Sequence, residues 1–174
     1  MKTRKQQTNH HQDSATTDIA RVAAGIGIGV VAGLVGTAVM TAAQMIEMQY
    51  SGRESSDTPY KAVKKTFGIE AQSDEDKELI TNVSHFGYGT TWGIPRGIMA
   101  VLGADGVTGT TAHFGAVWGT ELSLLPAMDV MEPVTTWKPK AIAEDAMFHA
   151  VYAIATGITA DILAKWLRGK DGNN

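Results

Sequence analysis

The stretch VAAGIGIGVVAGLVGTAVMTAAQMI, residues 22–46, decides how the rest of the chain is read. It carries no charge and lies between Arg21 and Glu47. A hydrocarbon core of roughly 30 Å needs about 20 helical residues at about 1.5 Å each. Buried helices of soluble proteins rarely stay uncharged for so long, so the stretch predicts a membrane span. The glycines point the same way. Gly25, Gly29 and Gly33 recur at every fourth position. Each glycine costs about 1 kcal/mol in an exposed helix, but small residues at this spacing let helix backbones approach closely in a membrane. A cleaved secretory signal is the competing reading of this end, and the apolar run exceeds the usual apolar core of about 7–15 residues.

The composition fits this reading. A mean hydropathy of -0.07 averages apolar spans with a polar head, a polar first loop and a polar tail. The 174 residues suit one domain. The absence of cysteine removes disulfides, thiolate metal sites and cysteine nucleophiles, and a net charge of -3 gives no nucleic-acid signature.

Outward from the first span, residues 1–18 read as a disordered polar leader, 19–168 as a four-span membrane domain and 169–174 as a polar tail. The further spans are expected at about 79–102, 107–128 and 141–163. They are weaker by hydropathy because they hold Arg96, His113, Glu121, Glu144, Asp145, His149 and Asp161. In the first loop, Pro59 after Asp57 starts a short amphipathic helix with Tyr60, Val63 and Phe67 on one face, ending at Gly68. It is expected to lie on the membrane surface. Ser73 followed by Asp74, Glu75 and Asp76 makes a capped, acidic helix start. The turn at Gly103, Asp105 and Gly106 makes spans two and three antiparallel neighbours, and Pro95 predicts a kink in the second span. The fold expected is therefore all-α: an up-down, integral-membrane four-helix bundle with a surface helix in its first loop.

Orientation rests on basic residues. Lys2, Arg4, Lys5 and Arg21 precede the first span, while Lys165, Arg168 and Lys170 end the chain. This places both termini in the cytoplasm of a multi-pass protein, although the first loop is also rich in lysine.

Polar residues in the later spans repeat at helical spacing. His85, Gly89, Gly93 and Gly97 share one face, as do His113, Val117 and Glu121, and as do Asp145, His149, Ala153, Gly157 and Asp161. A charge at bilayer depth costs about 2.5–3.5 kcal/mol, so these stripes face other helices or a wet cavity. In up-down topology Glu47, His85, Glu121, Asp145 and His149 converge in one half of the bundle, with Arg96 and His113 in the other. The runs from His85, His113 and His149 also echo one another.

The five converging groups have three readings. They fix helix register through hydrogen bonds, they form a proton or cation path, or they bind a metal. The last lacks the paired Glu-x-x-His pattern of di-iron bundles, so no metal ligand and no cofactor is assigned. No nucleophile elbow, phosphate loop or zinc-protease motif occurs, so no catalytic residue and no enzyme activity is expected. Gly25, Gly29, Gly33, Gly89, Gly93 and Gly97 are read as helix-packing glycines.

The run LLPAMDVMEPVTTWKPKAIAEDAMFHAVYAIATG, residues 124–157, resembles the closing part of YagU-like bacterial inner-membrane proteins. The shared features are a proline-bearing connection with an aromatic residue (Pro126, Pro133, Trp137) and an acidic residue, Glu144 or Asp145, just before His149. The resemblance implies a small bacterial inner-membrane protein of unassigned role. The functional expectation is a transport-associated protein for protons, cations or small solutes, with the lipid bilayer as its partner. The alternatives are a structural or partner-binding membrane protein that forms homo-oligomers through Gly25, Gly29 and Gly33, and a soluble helical metalloprotein.

Overall fold

A computed structural model describes residues 18–169. The polar leader and tail expected at 1–18 and 169–174 fall outside the described residues except for Asp18 and Gly169. The chain is all-α, with helices α1 (Lys2–Ser51, described from Asp18), α2 (Thr58–Phe67), α3 (Asp74–Val101), α4 (Gly106–Ala127) and α5 (Pro139–Asp171, described to Gly169). A 3-10 turn, Val134–Thr136, interrupts the last connection. The four long helices cover the four stretches expected as spans, and no strand occurs among the described residues.

Local chemistry sets the boundaries. Ser73 is extended and its Oγ accepts the amide of Asp76 at 3.1 Å, with three acids in the first turn of α3 to meet the helix dipole. Gly68 ends α2 in the left-handed region, its amide donating to the Lys64 carbonyl at 2.9 Å. α3 runs unbroken through Pro95. At its end Gly103 has φ 91°, and the chain turns into α4 within a few residues.

Packing starts from glycine. α1 and α3 run antiparallel, with Gly25, Gly29 and Gly33 facing Gly97, Gly93 and Gly89. A Cβ at Gly29 would lie 2.5 Å from both the Gly93 carbonyl oxygen and the Ile94 Cα, so the two backbones themselves touch. The glycine face offered for self-association is therefore covered by α3 of the same chain. α1 also packs along α5, where Ile28 and Ala32 meet Ala160 and Ala164.

α4 departs from expectation. The tight turn makes it antiparallel to α3, yet it packs more fully on α5 and makes only a thin contact with α3. Gly157 of α5 admits the Thr110 side chain, which seats α4 there. Short α2 packs on the start of α3. Lys77 bridges to Asp57 at 3.0 Å and lies over the Tyr60 ring, 5.8 Å from its centroid.

The core mixes apolar side chains such as Ile28, Met40, Phe148 and Tyr152 with polar ones. The largest side chains that are fully buried are Arg96, His113, Thr37 and Thr156, while Val31, Leu34, Ile46, Ile154, Ile158 and Ile162 stay exposed. Two helical stretches, Asp18–Ser51 and Pro139–Gly169, are long and apolar enough to cross a membrane by length and composition. α3 and α4 do not reach that hydropathy among the described residues.

Gly29→Ala forces a methyl against backbone that cannot move aside, and should destabilise the protein by about 1–3 kcal/mol. Gly27, where an added Cβ meets nothing within 4 Å, supplies the control. Gly27→Ala should be neutral or stabilising by up to about 1 kcal/mol. Thermal unfolding of the two purified variants checks the contrast.

Candidate functional site

The glycine contact ends at Gly89, where the Thr37 side chain fills the interface and donates to the Gly33 carbonyl at 2.8 Å. Beyond it α1 carries Met40, Thr41, Gln44 and Met48, and α3 carries Tyr88, His85 and Ser84, so the helices stand apart. The result is a cavity of about 2010 Å³, lined by the second half of α1, by α2, by the first half of α3, by the second half of α4 and by the start of α5. Its mouth lies beside the α1–α2 and α4–α5 connections.

On the floor, α4 and α5 bring Glu121 and His149 together. His149 Nδ1 lies 2.9 Å from the Asp145 carbonyl, one turn earlier in α5. A carbonyl oxygen only accepts, so Nδ1 carries a hydrogen and donates it. Nε2 then faces a Glu121 carboxylate oxygen in hydrogen-bond contact. Two bare acceptors would repel, so one proton is held between these atoms, either as imidazolium with carboxylate or as imidazole with carboxylic acid. The Asp145 carboxylate accepts from the Trp118 indole at 2.7 Å and lies 3.7 Å from His149 Nδ1. His85 lines the same cavity within electrostatic reach of His149 and Glu121, and its buried Nε2 has no hydrogen-bond partner in the protein.

Glu47 does not join this group. Gly52 ends α1 with φ 69° and turns the chain back, so Arg53 returns over the helix end. Its Nε and Nη2 both reach one Glu47 carboxylate oxygen at 3.1 Å. Of the five converging residues, the structure places four at the cavity and one outside it. Glu144 lines the cavity wall away from this group, paired with Lys140 at 3.4 Å. At the mouth, Lys61 and Lys77 hold the Asp57 carboxyl below the usual carboxylate range, and Asp57 in turn raises Lys77.

Beneath the floor the polar groups continue in a column. The Tyr152 hydroxyl donates to the Gly89 carbonyl at 2.6 Å, and its ring lies 5.6 Å from that of His113. His113 Nε2 is 2.9 Å from the Trp92 carbonyl and so donates to it, which leaves the buried Nδ1 as a bare acceptor. Further down, fully buried Arg96 reaches Asp161 at 2.6 Å, while the second oxygen of Asp161 accepts the Gly106 amide at the start of α4 at 2.8 Å. The three histidines of the echoed runs thus have three different partnerships.

Spacing identified the faces of Asp145, His149 and Asp161 but not Tyr152 or Trp118. Tyr152 is three residues beyond His149 and shares its face; Trp118 lies three before Glu121. No group of three or more His, Cys, Asp or Glu among the described residues is placed to hold a metal ion. The chain matches no family model, no curated protein and no solved structure.

Asp161→Asn would leave the Arg96 guanidinium buried without its counter-charge. Breaking a buried pair at one partner costs about 3–5 kcal/mol. Unfolding of the variant should show a loss of that order, whereas substitution of the exposed Lys140 should leave stability within about 0.5 kcal/mol.

Proposed function

We propose that this chain is a non-enzymatic, four-span protein of the bacterial inner membrane, both termini cytoplasmic, that carries protons or small cations through its polar interior. The observation that carries the reading is the cavity that ends on Glu121, His149, Asp145 and His85. The many exposed aliphatic side chains support a lipid setting, because large apolar side chains left outward in water form the kind of patch monomeric proteins avoid. Four antiparallel long helices, two of them apolar enough to span by themselves, support the up-down bundle.

In this reading the cavity is a half-channel open on the side opposite the termini. The proton between Glu121 and His149 is its exchangeable element, since an acceptor left facing an acceptor drives α4 and α5 apart. The column through Tyr152 and His113 leads toward the closed half, where Arg96 places a fixed positive charge. That charge opposes passage of a bare cation until the pair with Asp161 rearranges.

Two measurements test the proposal. The full chain should stay in the membrane pellet through an alkaline wash and leave it only with detergent; release into the wash overturns the membrane reading. In liposomes with an imposed pH gradient the parent should dissipate the gradient, and Glu121→Gln should fall to the level of empty liposomes with its helix content intact. A silent parent, or unchanged flux in the variant, overturns the transport reading.

A further inference from the structure

The floor holds two carboxylates, Glu121 and Asp145, against one imidazole, His149. When all three are ionised, one negative charge is left over. Asp145 carries it, since Glu121 faces His149 directly and Asp145 is held at the longer distance with the Trp118 indole as its neutral donor. Toward the mouth the sign is the same. Glu54, Asp57, Asp74, Glu78, Glu132 and Glu144 line the wall, against Arg53, Lys77 and Lys138. Arg53 is already paired with Glu47, Asp57 with Lys77 and Lys61, and Glu144 with Lys140, which leaves Glu54, Asp74, Glu78 and Glu132 against Lys138. The field therefore draws cations in and turns anions away.

The lining beside and below these groups has another character. Tyr88, Trp92 and Phe148 line the cavity together with Met40, Met48 and Met128. Aromatic faces attract organic cations, and methionine adapts its shape to apolar groups of varied outline. The volume of about 2010 Å³ exceeds the roughly 300–1,000 Å³ of ordinary small-molecule pockets, so a bulky ion enters with water beside it. A bare metal ion finds no set of three ligands there among the described residues.

We infer that the cavity binds an amphipathic organic monocation, its charge facing Asp145 and Glu121 and its apolar part lying against Tyr88, Trp92, Phe148 and the methionines. This rests on the reading of the same cavity as a cation pathway, and it adds a larger, organic class of cation to the protons and small cations of that reading. Charge and shape act together: an anion of identical outline meets the same walls and the wrong floor.

Tetraphenylphosphonium and tetraphenylborate, nearly equal in shape and opposite in charge, provide the test. Binding to the purified full-length chain in detergent micelles is measured calorimetrically at about pH 8, where an ordinary histidine is neutral, and corrected with empty micelles. The phosphonium should bind saturably at one site with Kd on the order of 10 µM, and the borate should show no saturable binding. Asp145→Asn should weaken the phosphonium by about tenfold or more, and Trp92→Leu should weaken it by a smaller factor. Equal binding of the two ions, no saturable phosphonium binding, or an Asp145→Asn variant with parental affinity would overturn the inference. The ion comparison in the parent holds even where a variant misfolds. The proton-flux assay contains no organic ion, so the two readings fail separately. Flux without phosphonium binding removes this inference, and phosphonium binding without flux removes the proton pathway.

Discussion

Direct backbone contact between α1 and α3 is the constraint on which the rest of the molecule depends. Six glycines at fourfold spacing, three on each helix, bring the two backbones together, and any side chain beyond hydrogen would intrude on backbone atoms at five of them and on the Thr37 side chain at Gly89. Attraction between surfaces this close is dispersion summed over many atoms, together with weak Cα–H contacts to carbonyls. It needs no large apolar side chain. The closed half is accordingly built largely from glycine, alanine and threonine around Ile28, while Val31, Leu34, Ile154, Ile158 and Ile162 face outward.

The same constraint produces the cavity. Helices held tightly over one half of their length, with Met40, Gln44, Met48, His85 and Tyr88 on the facing sides of the other half, diverge there. α5 follows α1, and α4 follows α5 through the notch at Gly157 and the contact between His149 and Glu121. Electrostatics are divided along the same line. The open half collects carboxylates with His85 and His149, and the half below them holds His113 and one buried arginine on one aspartate. Asp161 thereby has two tasks, neutralising Arg96 and capping the first turn of α4 through the Gly106 amide.

Much of this was legible in residue spacing. Uncharged length gave α1, and the cap at Ser73 and the turn at Gly103 gave the ends of α3. The fourfold repeats showed which sides of α3, α4 and α5 face inward, because that information is local to each helix. Neighbour choice is not local. The sequence pattern offered the glycine face of α1 to a neighbouring helix it did not name and to a second copy. It also made α3 and α4 close partners through their short turn, whereas α4 sits chiefly on α5. Glu47 shows the limit at a helix end. Its position along the span pointed into the cluster, but the left-handed Gly52 returned Arg53 to it and took it out. Cavities are harder still to read, since they arise from divergence between helices and no single stretch encodes them.

The glycine contact also bears on how the chain is made. Gly29 and its partner Gly93 are 64 positions apart in sequence. At about 5–20 residues per second, α1 exists for roughly 3–13 s before the opposing glycines are synthesised. During that interval its backbone is exposed along one whole side, and any neighbouring helix with small residues at the same spacing is a competitor. Assembly is thus a race between α3 emerging behind α1 and association with another newly made helix. The length of the first loop, with α2 inside it, sets the time allowed.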